Sequence, residues 1–154
     1  PPRSTLFPYT TLFRSSKPEH LNSLFIAPVI DNSGYGNPKY REILAQNLVD
    51  KFQSDNSFQI FERNADARLT AVIKDIREEK AIVSQTELET ERKIVVNVEV
   101  EYYDAINKKL IWKQQFSNFS LYQIASAQIG RDEAVKNILE KTSEDILFSV
   151  ISGW

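Results

Sequence analysis

The chain has no cysteine and only one histidine, His20, among its 154 residues. No cysteine means no disulfide, no thiolate metal site and no thiol nucleophile, and it fits the periplasm and the cytosol equally. No histidine stands in the body of the chain, so the usual nucleophile–base pairs of covalent hydrolysis have no base. Zinc loses its preferred donors for the same reason. His20 falls in a segment expected to be loose and reads as a solvated bystander. Long apolar runs are also missing: no window approaches the roughly 18 residues a membrane-spanning helix needs. Glycine-rich phosphate loops are absent as well. Gly34-Tyr35-Gly36-Asn37 has two glycines but neither the GK[ST] nor the GxGxxG pattern, and a helix-entrance turn explains it. No cofactor and no metal is expected.

Residues 6–15, LFPYTTLFRS, resemble the translation of a sequencing-library adapter. Residues 1–16 are therefore expected to be an artefactual, disordered segment without structural meaning. The natural start, with any signal peptide and any lipid-bearing cysteine, is expected to lie upstream of Lys17. Without Arg3 and Arg14 the 19 basic residues become 17 against 21 acidic ones, a net charge of −4. Such a mildly acidic domain with scattered charge is poorly suited to nucleic acid, whose affinity comes mainly from phosphate neutralisation. Residues 17–154 amount to one domain, enough to bury a core.

Periodicity separates this domain into short strands and two helices. Leu24-Phe25-Ile26-Ala27-Pro28-Val29 reads as a strand that Pro28 confines to an edge or stops. Residues 31–36 are dense in turn formers. Asn37 can cap a helix with Pro38 at its first position. Tyr40, Leu44, Leu48 and Phe52 then recur every four residues, widened by Ile43 and Val49. Residues 58–61 form a short strand, and Leu69, Ala71 and Ile73 share one face of the next. Residues 75–90 read as the end of that strand plus an exposed turn.

The clearest strand places Ile94, Val96, Val98, Val100 and Tyr102 on one face and Lys93, Asn97, Glu99 and Glu101 on the other. That period of two means one dry side and one wet side. A hairpin at residues 105–109 returns as a strand from Leu110 to about Phe119, with Leu110, Trp112 and Phe116 sharing a face. A last helix, about residues 131–151, carries Val135, Ile138, Leu139, Thr142, Ile146 and Val150. Asp132 and Glu133 sit near its positive end, and Gly153 stops it. The order β-α-β-β-β-β-α predicts an α+β two-layer sandwich. Its mostly antiparallel, mixed sheet of four to five strands would be covered on one face by the two helices.

Carboxylates are plentiful around residues 78–91, but Glu78, Glu79, Glu87, Glu89 and Glu91 alternate with Arg77, Lys80, Arg92 and Lys93 and read as a solvated stretch. A binding or structural module, not an enzyme, is the expectation.

Four segments in order carry a resemblance. Ile26-Ala27-Pro28-Val29-Ile30-Asp31-Asn32-Ser33 is a strand ending in proline, then Asn and a hydroxyl residue before a helix. Ala65-Asp66-Ala67-Arg68-Leu69 leads into a sheet strand. Asn107-Lys108-Lys109-Leu110-Ile111-Trp112 is a hairpin into an aliphatic-Trp strand. Ile151-Ser152-Gly153-Trp154 ends the chain after a helix bearing Glu144-Asp145-Ile146. Together they resemble the LptE-type lipopolysaccharide-assembly lipoproteins over nearly all of residues 24–154. The acylated cysteine of that family is missing, and residues 75–90 match no family pattern.

The resemblance implies a protein anchored by lipid at the periplasmic face of the outer membrane. Its implied partners are lipopolysaccharide and the outer-membrane β-barrel of the lipopolysaccharide translocon, which it would plug or scaffold. Lys108 and Lys109 at a hairpin tip, with Lys113 close behind, are candidates to meet lipid phosphates, although ordinary solubilising lysines look the same. Asn32, Tyr35 and Asn37, before the first helix, are candidates to touch the barrel. Trp112 and Phe116 are assigned to the core. An alternative is a periplasmic lipoprotein that activates a cell-wall synthase or supports a secretion pore.

Overall fold

The computed structural model describes residues 17–81 and 90–152. The adapter-like segment, the turn expected between the long strands, and the Gly153 stop lie outside the described residues. The elements are β1 (Ser23–Ile26), β2 (Ile30–Asp31), α1 (Lys39–Asp55), β3 (Gln59–Phe61), β4 (Ala67–Lys80), β5 (Glu91–Asp104), β6 (Lys109–Gln123), a 3-10 turn (Ile124–Ser126) and α2 (Ala127–Ile151). The sheet runs β3-β1-β4-β5-β6, with β2 added on β4. Pairing is parallel among β1, β3 and the start of β4, and antiparallel from β4 to β6. Both helices lie on one face, which gives the two-layer sandwich.

The first expected strand stops at Ile26, just before Pro28, and a separate two-residue strand follows at Ile30–Asp31. Ala27 N–H still donates to Leu69 O (2.9 Å), but Pro28 has no N–H, and the chain rejoins β4 only at Ile30. β1 is thus not an edge. It is flanked by β3 and β4, and proline occupies the break instead.

α1 starts one residue after Pro38. Asn37 Oδ1 accepts the Lys39 N–H (3.0 Å), so the cap acts as the sequence suggests. The helix buries Tyr40, Leu44, Leu48 and Phe52 and ends at Asn56, whose left-handed φ of 64° lets its N–H reach Phe52 O.

α2 begins at Ala127, four residues before the expected start, so Asp132 and Glu133 sit in its second turn, not at its positive end. All six expected stripe residues of α2 are buried. The helices pack side by side: Tyr40 donates to Asp132 (2.8 Å) and Lys51 Nζ sits 2.6 Å from Glu140.

β4 and β5 pair over almost their whole length, with Leu69, Ala71, Ile73, Val98, Val100 and Tyr102 facing the helices. Two bulges decide what lies beyond. One at Lys74 shifts the register, so Ile76 and Glu78 stay on the core side. The other, at Ile111, puts Trp112 opposite Tyr102 but Leu110 opposite Tyr103. Leu110 therefore lies on the outer face, 48% exposed, and does not share the face of Trp112 and Phe116.

Candidate functional site

One end of the sandwich is built around the β5–β6 hairpin. Asp104 closes the inward row of β5 and is 2% exposed. Its Oδ1 accepts the N–H groups of Ile106 and Asn107, both at 2.9 Å, which folds the turn on itself. Its Oδ2 lies 2.6 Å from His20 Nε2 and accepts from Asn107 Nδ2 (3.1 Å). His20 is therefore not a bystander. It fastens the N-terminal segment to the hairpin, a contact no local pattern announces across 84 residues. Burial alone would raise the Asp104 carboxyl, but the Asn107 N–H and His20 outweigh it and hold it below the usual carboxylate range.

Asp66 works beside it. Its Oδ2 accepts the N–H groups of Asn22 (2.8 Å) and Ser23 (3.2 Å), while its own N–H donates to Ser23 Oγ (2.8 Å). Its carbonyl takes the Ala105 N–H (2.9 Å). The Ala-Asp segment and the hairpin segment, far apart in sequence, thus clamp one end of the sheet.

On this clamped end sits Lys108 with a φ of 55°. That left-handed conformation suits glycine or asparagine and costs another residue about 1 kcal/mol. Lys108 and Lys109 are exposed, and among the described residues no ion pair holds either. Lys113 differs: it lies on the outer face with Glu99 and Glu101 each 3.6 Å from its Nζ. The structure thus brings Lys108 and Lys109 together and commits Lys113 to carboxylates.

Sequence reading missed three neighbours. Arg68, Tyr103 and Leu110 form one row across β4, β5 and β6 on the outer face, with the Arg68 guanidinium 4.6 Å from the Tyr103 ring centre. Ile106 at the turn is 51% exposed. Three cations and three apolar or aromatic side chains therefore share a rigid tip, next to a hollow of about 210 Å³ beside Arg68. Alternation would have revealed the row only with the Ile111 bulge known.

The other end is held by Glu78. The expected solvated stretch splits: Glu79 faces out, whereas Glu78, opposite Ile94, faces the helices. Glu78 accepts from Tyr122 Oη, from Tyr35 Oη (2.9 Å) and from Arg131 Nε (2.9 Å). Burial pushes its carboxyl up, but these three donors prevail and keep it below the ordinary range. Burial and then the same carboxylate raise the Tyr35 hydroxyl; burial and Asp132 push Tyr40 up to about 12.

Of the three residues expected to face a barrel, only Asn32 is exposed; the other two are half-buried. Tyr35 turns inward to Glu78, and Asn37 spends its side chain on the α1 cap. Asp31, Gly34, Gly36, Asn37, Pro38 and Arg41 line an open cleft of about 290 Å³ there. Gly34 and Gly36 have φ of 73° and 89°, values that L side chains rarely adopt.

Among the described residues no group of three or more His, Asp or Glu stands close enough to hold a metal ion. No described helix is long and apolar enough to cross a membrane. Fold and site together define a stiff α+β module with a cationic, partly apolar tip. The chain belongs to the LptE family, whose model, described as lipopolysaccharide-assembly, matches residues 21–150.

Solved structures share the fold at low identity. A hypothetical protein of Chlamydia trachomatis superposes with a TM-score of 0.63 at 10% identity, covering 84% of this chain and 95% of that one. A minor lipoprotein of Acinetobacter baumannii gives 0.57 at 11%, with 85% and 93% covered. The rare lipoprotein B of Shewanella oneidensis gives 0.55 at 14%, with 81% and 92% covered. No curated protein matches the chain.

Proposed function

We propose that this domain is a non-catalytic, lipid-anchored component of lipopolysaccharide transport at the periplasmic face of the outer membrane. In this reading it scaffolds or plugs a partner β-barrel and contacts lipopolysaccharide itself. The family match over residues 21–150 is the observation that carries it. The domain's chemistry agrees: a lipid bearing phosphates and acyl chains needs cations and apolar surface side by side, and the hairpin tip presents both. Lys108 and Lys109 are the phosphate-facing residues, joined by Arg68, while Ile106 and Leu110 supply apolar contact. Lys113, already between two carboxylates, plays the smaller part. Asn32, Asn37 and the loop around Tyr35 face the barrel, with Tyr35 shaping the loop from inside.

The test is co-purification. Full-length protein tagged at its C-terminus and extracted in mild detergent should bring down the outer-membrane barrel of the lipopolysaccharide exporter. Recovery of a peptidoglycan synthase or a secretion pore in its place would favour the alternative role and remove this one.

A further inference from the structure

β1 and β3 run parallel, with α1 between them in the chain, and a hollow of about 510 Å³ opens at their carboxyl ends. Open α/β sheets bind ligands in this position, and the volume falls within the roughly 300–1,000 Å³ of ligand pockets. The hollow exists because β3 stops at Phe61, opposite Phe25, so Ile26, Ala27 and Pro28 have no residue of β3 beside them. α1 contributes Ala45 and Val49 to its lining, and β3 contributes Ile60 and Phe61. Its two polar side chains, Gln53 and Glu62, are both exposed. Phe61 stays 43% exposed there.

We propose, resting on the lipopolysaccharide reading, that this hollow holds one acyl chain of the lipid whose phosphates meet the hairpin tip. Position is the first reason. Phe25 lines this hollow and also the smaller one beside Arg68, and Phe25 and Arg68 are partners in the parallel pairing of β1 and β4. The apolar and cationic parts of the surface thus lie one strand spacing apart, about 4.8 Å. An amphiphile needs that arrangement: a phosphate at Arg68, Lys108 and Lys109, and a chain running over Phe25 into the hollow. Hydrogen bonding is the second reason. Pro28 has no N–H, and the Ala27 N–H is taken by Leu69 O (2.9 Å), so a peptide strand laid along these residues finds few donors. An acyl chain asks for none. Charge is the third reason. The Glu62 carboxylate disfavours a phosphate at the hollow itself and so sets the head of the lipid on the cationic side.

The test compares binding of intact lipopolysaccharide with binding of its fully deacylated form, which keeps the same phosphates. Each methylene taken out of water adds about fourfold in affinity, so blocking two costs about sixteenfold. Ala45→Phe, which fills the hollow from α1, should therefore weaken the full chain's binding of the intact lipid at least about tenfold and leave the deacylated form unchanged. Lys108→Glu/Lys109→Glu should weaken both. The cysteine-free sequence allows a check that does not need the phenylalanine variant to fold. Gln53→Cys, labelled with an environment-sensitive dye at this exposed position, should shift to the blue with the intact lipid and not with the deacylated one. Intact lipid bound equally by Ala45→Phe and the unmodified chain, or one dye response to both lipids, would overturn the acyl site and leave the hairpin tip standing. No binding of either lipid by the unmodified chain would overturn the acyl site together with the lipopolysaccharide reading.

Discussion

The two ends of this sandwich are each held by one carboxylate, but the carboxylates are satisfied differently. Asp104 binds mainly its own turn: two N–H groups and one side chain within three residues, plus His20. Glu78 binds nothing local; its donors come from the loop before α1, from the end of β6 and from α2. The Asp104 end is thus stiff by construction and fit to present a tip. The Glu78 end is stiff only while four elements stay docked, so the loop over residues 31–38 depends on tertiary packing.

Substitutions can break or sharpen that contrast. Val98, midway between the ends and fully buried, supports both. Val98→Asp would bury an unpaired carboxylate and should abolish cooperative unfolding in thermal melts, a loss above about 4 kcal/mol. Asp104→Ala leaves two N–H groups and His20 without their acceptor and should cost about 3 kcal/mol, roughly 10 °C in Tm. Hydrogen exchange should then quicken at residues 105–109 and leave residues 31–38 unchanged. Glu78→Gln should cost about 1.5 kcal/mol and show the reverse exchange pattern. If both variants loosen both ends equally, the contrast fails.

The two carboxylates also set a pH dependence. Both are held below their ordinary values in the folded state, so their stabilisation is complete above about pH 4 and is lost as pH falls through the lower folded values. Asp104→Asn and Glu78→Gln should each flatten the fall in Tm below pH 4. The smallest effect belongs to Tyr102, whose hydroxyl is buried with no partner among the described residues. Tyr102→Phe should leave stability unchanged or raise it by up to about 1 kcal/mol, read from thermal melts.

Much of the fold, though not this contrast, was legible in the residues. The strict alternation from Ile94 to Tyr102 and the four-residue spacing from Tyr40 to Phe52 give the sheet face and the first helix, because burial repeats with backbone geometry. The family resemblance, drawn from four short segments, agrees with the match over residues 21–150. The hidden parts are those that break periodicity. A bulge at Lys74 keeps Glu78 inward after a run that reads as solvated, and one at Ile111 turns Leu110 outward. His20 reads as a bystander in the sequence because its partner, Asp104, is 84 residues away. Lys108 and Lys109 could be placed at a hairpin tip, but their association with Arg68 depends on strand neighbours fixed only by register.

Capture of lipopolysaccharide by the purified domain tests the functional account most directly. Binding of labelled lipopolysaccharide should be saturable in the unmodified chain and fall at least about tenfold in Lys108→Glu/Lys109→Glu, with Tm unchanged, since both side chains are solvent-exposed. Equal binding by the two proteins would remove the hairpin tip from the site, and no binding by either would contradict a lipid-contacting role.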